Sequence, residues 1–205
     1  MATIPAPLTR HITRLFREAT PEQIIAGADW YTDAHNVADA LAVRYGVTLE
    51  VAAGVLAALS PLQSWGANVN LAARFLAAGG LHAGYLGVGL AKGRAILAGA
   101  DIVATLKGDK IVNFYLAIVT KGAQGVAIDR HAWSLAVNTR YVADGMPSLS
   151  GKRYAAAVSV YVRATDILSK EYGMALTPAQ VQAVTWILWR NKFWALGAFD
   201  KHEAV

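Results

Sequence analysis

Two segments of the chain carry the same helix-start motif, and this repeated motif constrains the fold more than any other feature. Residues 20–23 (Thr-Pro-Glu-Gln) and 177–180 (Thr-Pro-Ala-Gln) each place a threonine at the N-cap, a proline at the first helical position and a glutamine three residues after the cap. The threonine and glutamine side chains of such a box bond each other's backbone N–H groups. Both segments therefore predict the start of a helix.

The rest of the chain also favours helices, since alanine, the strongest helix former, supplies 40 of the 205 residues. The first capped helix is expected to run to about Arg44 and the second through Trp189. Only residues 125–128 (Gly-Val-Ala-Ile) look extended, and they are too few for a sheet. The sequence predicts an all-α protein. Glycine and proline breaks separate further predicted helices over residues 48–59, 65–78, 91–104, 110–120, 130–142 and 151–172.

Several kinds of site are excluded by composition. The chain has no cysteine, which rules out disulfides, thiolate zinc sites, iron–sulfur clusters and a cysteine nucleophile. Asp29, Asp33, His35 and Asp39 are close enough in sequence to consider as metal ligands. A polar helix face explains them better, because ligand sets normally converge from more than one element. We expect no metal site and no cofactor.

Charge and hydropathy indicate a globular protein of the cytosol. The net charge of +5 permits a polyanionic partner without requiring one. A stripe formed by Arg10, Arg14 and Arg17 is better explained as a solvated helix face than as a phosphate-binding arm. No export signal is recognisable at the N-terminus, and polar residues interrupt the longest apolar stretch, residues 51–73. We expect no membrane contact, no obligate protein partner, and a bacterial or phage-infected cytosol.

The segment richest in chemical groups spans residues 110–133. Lys110 opens an amphipathic helix, a glycine-containing loop follows, and a short apolar piece then leads to Asp129 at the start of the next helix. A helix N-terminus favours the ionised form of such an acid. Taken alone, Asp129 is explained as an N-cap.

The combined pattern resembles the helix-hairpin-helix DNA glycosylase superfamily, which includes endonuclease III and adenine glycosylase. Residues 110–113 (Lys-Ile-Val-Asn) are similar to the start of the second hairpin helix, and residues 128–131 (Ile-Asp-Arg-His) to the motif of the catalytic aspartate. Residues 56–63 resemble the helix that ends in Leu-Ser-x-Gln, and residues 89–97 the stretch before the hairpin. The turn at residues 106–110 departs from the family, because it lacks Gly-x-Gly, is two residues shorter and contains an acid.

This resemblance implies a two-lobed helical bundle in one domain over residues 1–205. The central lobe would span about residues 48–142, and the second lobe would combine residues 8–45 with residues 151–192. The cleft between the lobes would hold an extruded base. Asp129 would stabilise the cationic sugar or activate water, and Lys110 would attack the sugar carbon and form a Schiff base.

The resemblance also implies contacts to DNA or to the substrate from nine further residues. For His131 a structural role is the alternative, for Trp186 core packing, and for residues 63–68 a capped turn between helices. Arg190 follows an apolar run and needs an anionic partner. The nine residues are Gln63, Trp65, Asn68, Lys107, Asn113, Arg130, His131, Trp186 and Arg190.

Three functions follow from these features. The first is N-glycosylase or lyase chemistry on a flipped base. The second comes from a similarity to phage relatives of this fold implicated in thymine hypermodification, which are amino-acid:DNA transferases and glutamyl or putrescinyl thymine pyrophosphorylases. In that case Lys110, Arg130 or Arg190 would neutralise leaving phosphates, and Asp129 would act as a base toward an amine. The third is a non-catalytic DNA-binding protein.

Overall fold

The protein is all-helical over the residues that the structure, a computed structural model, describes. These are residues 4–142 and 145–194, which contain no strand. The prediction of an all-α protein is confirmed. The helices of this part of the chain are α1 (Thr9–Arg17), α2 (Pro21–Ala28), α3 (Trp30–Tyr45), α4 (Leu49–Ala58), α5 (Trp65–Ala77), α6 (Gly87–Leu97), α7 (Ile102–Leu106), α8 (Asp109–Val119), α9 (Arg130–Ala136), α10 (Gly151–Tyr172) and α11 (Pro178–Trp194).

Both predicted capping boxes form. The Thr20 hydroxyl accepts from the backbone N–H of Gln23 at 3.3 Å, and the Gln23 side chain accepts from the backbone of Thr20 at 2.9 Å. The second box repeats this geometry, with Thr177 and Gln180 joined at 3.2 and 2.9 Å. Each box satisfies two backbone donors that a helix start leaves without partners. The starts of α2 and α11 are therefore fixed locally.

Two helices organise the packing. Helix α4 is apolar on every side, is buried from Ala52 to Ala58, and packs against α3, α5, α6, α7 and α8. Helix α11 packs against α1, α2, α3, α9 and α10. The crossing of α2 and α11 is close, since a Cβ at Gly27 would lie 2.6 Å from Val184 Cγ2. Because α3 contacts both α4 and α11, it joins the two groups of helices.

Three predicted helices differ from the structure. The helix predicted from Thr20 to Arg44 is interrupted at Asp29, which ends α2 and precedes α3. The helix predicted over residues 91–104 is two helices, because Gly99 has a φ of 87° after α6 and the Asp101 side chain caps α7. The helix predicted over residues 130–142 ends at Ala136, because Asn138 takes a φ of 50°.

The extended piece before α9 is held against α8 and α10 by side-chain hydrogen bonds. Asn113 Oδ1 accepts from the backbone N–H of Val126 at 3.0 Å. The Tyr154 hydroxyl donates to the Val126 carbonyl at 2.6 Å and accepts from the Ile128 N–H at 3.1 Å. These bonds replace the partners that a neighbouring strand would supply. They fix the direction in which the chain reaches α9.

No single helix among the described residues is long and apolar enough to cross a membrane. One pair, Pro21–Tyr45 with Leu49–Ala58, meets the length and composition criteria together and is bent by 112°.

We predict that Gly125→Ala strongly destabilises the protein. Gly125 has a φ of 81°, and a Cβ there would lie 2.3 Å from the carbonyl oxygen of Asn113. Strain and overpacking together should lower the free energy of unfolding by roughly 2–5 kcal/mol. Denaturant titration measures this change.

The matched control is Gly84→Ala, because Gly84 has a φ of 89° and no atom lies within 4 Å of the position that its methyl carbon would take. It carries the backbone strain alone, about 1–2 kcal/mol. Equal losses in the two variants would show that the contact between residue 125 and α8 is unimportant.

Candidate functional site

A pocket lies where α3, α8, α11 and the segment before α9 meet. It contains about 400 Å³ of empty space, part of which is continuous with solvent. Most of the lining is aromatic or aliphatic, and three side chains contribute a carboxylate, an amine and an amide. The lining residues are Trp30, Tyr31, Lys110, Phe114, Ala127, Asp129, Gln182, Ala183, Trp186 and Ile187.

Asp129 is the N-cap of α9 and also contacts α11. Its Oδ1 accepts from the backbone N–H groups of His131 and Ala132 at 2.9 and 2.8 Å. Its Oδ2 accepts from the indole Nε1–H of Trp186 at 2.8 Å. Three donors therefore hold the carboxylate, and the N-cap role and a place in the pocket are combined in one residue.

Lys110 reaches the pocket from the first turn of α8, directly after a two-residue turn that follows α7. Both turn residues, Lys107 and Gly108, have a positive φ, of 49° and 80°. Asp109, the first residue of α8, has a structural role, because its Oδ2 accepts from the backbone N–H of Gly151 at 3.0 Å. The turn is thereby tied to the start of α10, and Lys110 is placed beside the pocket.

The Trp186 ring lines the pocket and also contacts two residues that are not part of the lining. The Arg190 guanidinium lies 4.6 Å from its ring centre, and the His131 ring meets it edge-on with centres 5.6 Å apart. Trp186 also donates to Asp129, so a single side chain contacts the carboxylate, a cation and an imidazole. The charged groups of α9 and α11 are therefore positioned through an aromatic ring.

The buried imidazole of His131 is neutral at physiological pH. Burial is the largest of the causes that lower the pKa of His131 to about 4. Asp129 acts in the opposite direction, and the cations Arg130, Arg190 and Lys110 act in the same direction as burial. These interactions also show that the three cations act on one small region. The site consequently combines one carboxylate with several positive charges and an uncharged imidazole.

Two residues predicted to face a duplex are instead inside the protein. Asn68 is fully buried, and its Nδ2 donates to the Leu56 carbonyl at 3.1 Å. Trp65 is buried behind the pocket wall, where its ring lies 5.3 Å from that of Trp30 and 6.4 Å from that of Phe114. The expectation of contact with DNA is wrong for these two side chains, because both face the core on α5.

The other predicted contact residues divide into two groups. Asn113 uses both ends of its amide within the protein, since Nδ2 donates to the Asp109 carbonyl at 2.8 Å and Oδ1 accepts from Val126. Lys107 is exposed in the turn before α8, and Gln63 is half-buried in the turn before α5. The structure places neither Lys107 nor Gln63 in the lining of the pocket.

Most of the pocket wall was not predicted from the sequence. Trp30 and Tyr31 begin α3, and the Tyr31 hydroxyl donates to Gln182 Oε1 on α11 at 3.1 Å. Aromatic residues in an apolar helix look like core residues, and these are also buried. The sequence signal for this wall was Gln182, a polar residue four positions before Trp186 in a largely apolar stretch.

The acidic and imidazole side chains of α3 do not form a metal site. His35 Nδ1 donates to the carbonyls of Ile118 and Val119 at 3.1 and 3.2 Å, which links α3 to the end of α8. Among the residues that the structure describes, no three His, Asp or Glu side chains converge in a way that could hold a metal ion.

Comparison with known proteins identifies the family of the chain, and the function of that family is unknown. Residues 2–193 match the model of a family of unknown function (DUF7178). No curated protein and no solved structure matches the chain.

We predict that Asp129→Asn destabilises the protein although asparagine is an equally good N-cap. One carboxylate oxygen becomes an NH₂ group, which then faces either the α9 N–H groups or the Trp186 indole N–H. Losing one of these bonds should lower the free energy of unfolding by roughly 1–3 kcal/mol. Denaturant titration measures the loss.

The control for this variant is Asp101→Asn, at an exposed N-cap where a single oxygen accepts from Ala104 N–H at 2.7 Å. We expect a change within about 0.5 kcal/mol there. Adding Trp186→Phe to Asp129→Asn removes the opposing donor and should recover part of the stability. A similar loss in the two single variants would contradict the three-donor geometry.

We also predict that stability falls between about pH 6.5 and pH 4 through His131. The unfolded chain takes up a proton near pH 6.5, whereas the folded protein does so only near pH 4, so acidification favours the unfolded state across this interval. The full effect is at most about 3 kcal/mol. Stability should be measured from pH 4 to 7.5 in the wild type and in His131→Phe, which keeps a ring against Trp186. Parallel curves for the two proteins would refute this origin of the acid sensitivity.

Proposed function

We propose that this protein, which belongs to the family of unknown function DUF7178, is a DNA-acting enzyme that draws a flipped base into the pocket and carries out N-glycosylase or lyase-type chemistry. One observation carries the proposal. Lys110 and Asp129 belong to different elements, and both line the same aromatic-walled pocket. N-glycosylase and lyase chemistry requires two functional groups beside the planar base, a carboxylate and an amine.

The walls of the pocket suit a nucleobase. Trp30, Phe114 and Trp186 offer aromatic surfaces, on which a planar heterocycle stacks whatever its sequence context. A base within a duplex is inaccessible to such a site, so the nucleotide must first leave the stack. The opening of the pocket to solvent provides a path for it.

The proposed roles of the two residues follow from charge and nucleophilicity. As the N-glycosidic bond breaks, its electron pair leaves with the base and positive charge develops on the sugar. The Asp129 carboxylate stabilises that charge. Lys110 gives a proton to the departing base, and its amine then forms a bond to the sugar carbon C1′. The bond from C1′ to the ring oxygen breaks as a second amine proton moves to that oxygen, which leaves a protonated Schiff base. Loss of a C2′ proton to water then expels the 3′-phosphate and cleaves the strand.

The resemblance to the helix-hairpin-helix glycosylases supports the same assignment. Helix α7, the turn at residues 107–108 and helix α8 follow one another as the two helices of such a hairpin do, and Lys110 follows the turn. The pocket lies between the helices around α4 and those around α11, as expected for a cleft between two lobes. We therefore propose this fold family and its two-lobed arrangement together with the activity.

A second candidate function is transfer to a hypermodified base, and the positive charge around the pocket favours it. Lys110, Arg130 and Arg190 all act on His131, where only Asp129 opposes them. This surplus of cations suits a base activated by pyrophosphate, because the leaving group carries several negative charges. Asp129 would then accept a proton from the incoming amine, and the DNA strand would stay intact.

One experiment distinguishes these functions. DNA is incubated with the wild-type protein, with or without borohydride, and the nucleosides and the protein are analysed by mass spectrometry. We predict loss of a base and a covalent protein–DNA adduct that depends on Lys110 and disappears in Lys110→Ala. Asp129→Asn, checked for folding, should reduce base release by at least about a hundredfold.

The matched control is Lys170→Ala, an exposed lysine on α10 that does not line the pocket, which should retain the adduct. An intact strand carrying a heavier base, formed on DNA containing a pyrophosphorylated hydroxymethyluracil, would establish the transferase instead. DNA binding without any product on either substrate, unchanged in Asp129→Asn, would identify a non-catalytic DNA-binding protein and refute both enzymatic functions.

A further inference from the structure

Gln182 is the amide in the pocket, and its orientation is set by a neighbouring hydroxyl. Only 4% of Gln182 and 3% of Tyr31 is exposed, and both residues line the pocket. The Tyr31 hydroxyl donates to Gln182 Oε1 at 3.1 Å. A buried hydroxyl needs an acceptor, so this bond keeps the oxygen of the amide on the side of Tyr31.

The other end of the amide is available to a ligand. With Oε1 directed at Tyr31, the Nε2 group of Gln182 makes no hydrogen bond to any residue within 4–142 or 145–194. An amide nitrogen carries two donors and no acceptor. Gln182 is more than nine-tenths buried, but its Nε2 is not among the described fully buried polar atoms that lack a partner. This donor group therefore opens into the pocket, where a ligand can accept from it.

The remaining polar groups of the pocket reinforce this donor character. Lys110 offers donors only. Asp129 is the one strong acceptor among the described lining residues, but three protein N–H groups already occupy its two oxygens. An exocyclic amino group would therefore meet the donors of Lys110 and Gln182, whereas a carbonyl oxygen at the same position would accept from them.

We propose that Gln182, held by Tyr31, selects a base whose exocyclic group on the major-groove side of the pairing edge is a carbonyl oxygen, such as O4 of thymine or uracil, over a base with an amino group at that position, such as cytosine or adenine. The proposal rests on the function proposed above, because it assigns the substrate class of the same pocket. An exocyclic amino group would place its N–H groups against those of Gln182 Nε2, whereas O4 of thymine or uracil accepts from them.

The test uses short duplexes in which one target base lies opposite an abasic position. Every base is then unpaired, so the cost of extruding it contributes little to the comparison. A 2′-fluorine on the target sugar slows cleavage of the glycosidic bond, which makes equilibrium binding measurable. Fluorescence anisotropy gives the affinity for duplexes that carry thymine, uracil, cytosine or adenine. We expect the wild type to bind the thymine and uracil duplexes about tenfold or more tightly than the other two.

Two variants test the residues. Tyr31→Phe removes the hydroxyl that orients the amide, so Gln182 can present either end and the preference should fall to about twofold or less. The double variant Tyr31→Phe with Gln182→Met replaces both polar partners by apolar groups of similar shape, which keeps folding close to neutral. It should lose the tighter binding of thymine and uracil. Tyr172→Phe, a hydroxyl deletion at the end of α10 where the ring meets Phe16, should keep the wild-type preference.

Each outcome has one meaning. Equal wild-type affinity for all four bases would overturn the selection and leave the proposed function standing, as would a preference that survives in the double variant. Failure of the wild type to bind any of the duplexes would overturn the proposed function and the selection together.

Discussion

The arrangement of the pocket depends on one carboxylate that three protein donors hold. Asp129 ends an extended segment, caps α9 through one oxygen and receives the Trp186 indole of α11 through the other. The extended segment, the adjoining α9 and the distant α11 are thereby fixed relative to one group. The Trp186 ring also contacts the Arg190 guanidinium and the His131 ring, so the positions of these two side chains depend on the same hydrogen bond.

This arrangement gives the site a defined charge pattern. Burial and three nearby cations keep His131 uncharged, so the imidazole adds no positive charge. Among the charged groups that act on it, Asp129 is the only anion. In partly dehydrated surroundings an unbalanced set of charges is stabilised by an anion or by a group that develops the missing charge during reaction. Both proposed chemistries meet this requirement, because one develops negative charge on the departing base and the other on the leaving phosphates.

Much of the fold could be predicted from local signals. The two capping boxes fixed the starts of α2 and α11, and the position of Asp129 before α9 was readable as an N-cap. The breaks at Asp29, Gly99 and Asn138 were missed, because each replaces a short stretch of helix with a turn whose residues also occur inside helices. A one-residue interruption such as Asp29 leaves the helical period almost intact, and tertiary contacts then decide where the chain bends.

Only part of the site could be predicted from the sequence, because the pocket wall is built from the same residue types as the core. Lys110 and Asp129 were recognised because a charged or capping residue stands out in an apolar helix or at its start, and the family resemblance added Trp186. Tyr31 and Gln182 are brought together by the packing of α3 against α11, which no local pattern encodes. The prediction for Trp65 and Asn68 failed in the opposite way. Because they follow a turn, they were expected to be exposed, and both are buried. In an alanine-rich helical protein the wall of a pocket uses the same aromatic residues as the core. A buried amide needs partners, and packing decides where they are: Asn68 donates to the Leu56 carbonyl in the core, whereas the amide of Gln182 lines the pocket.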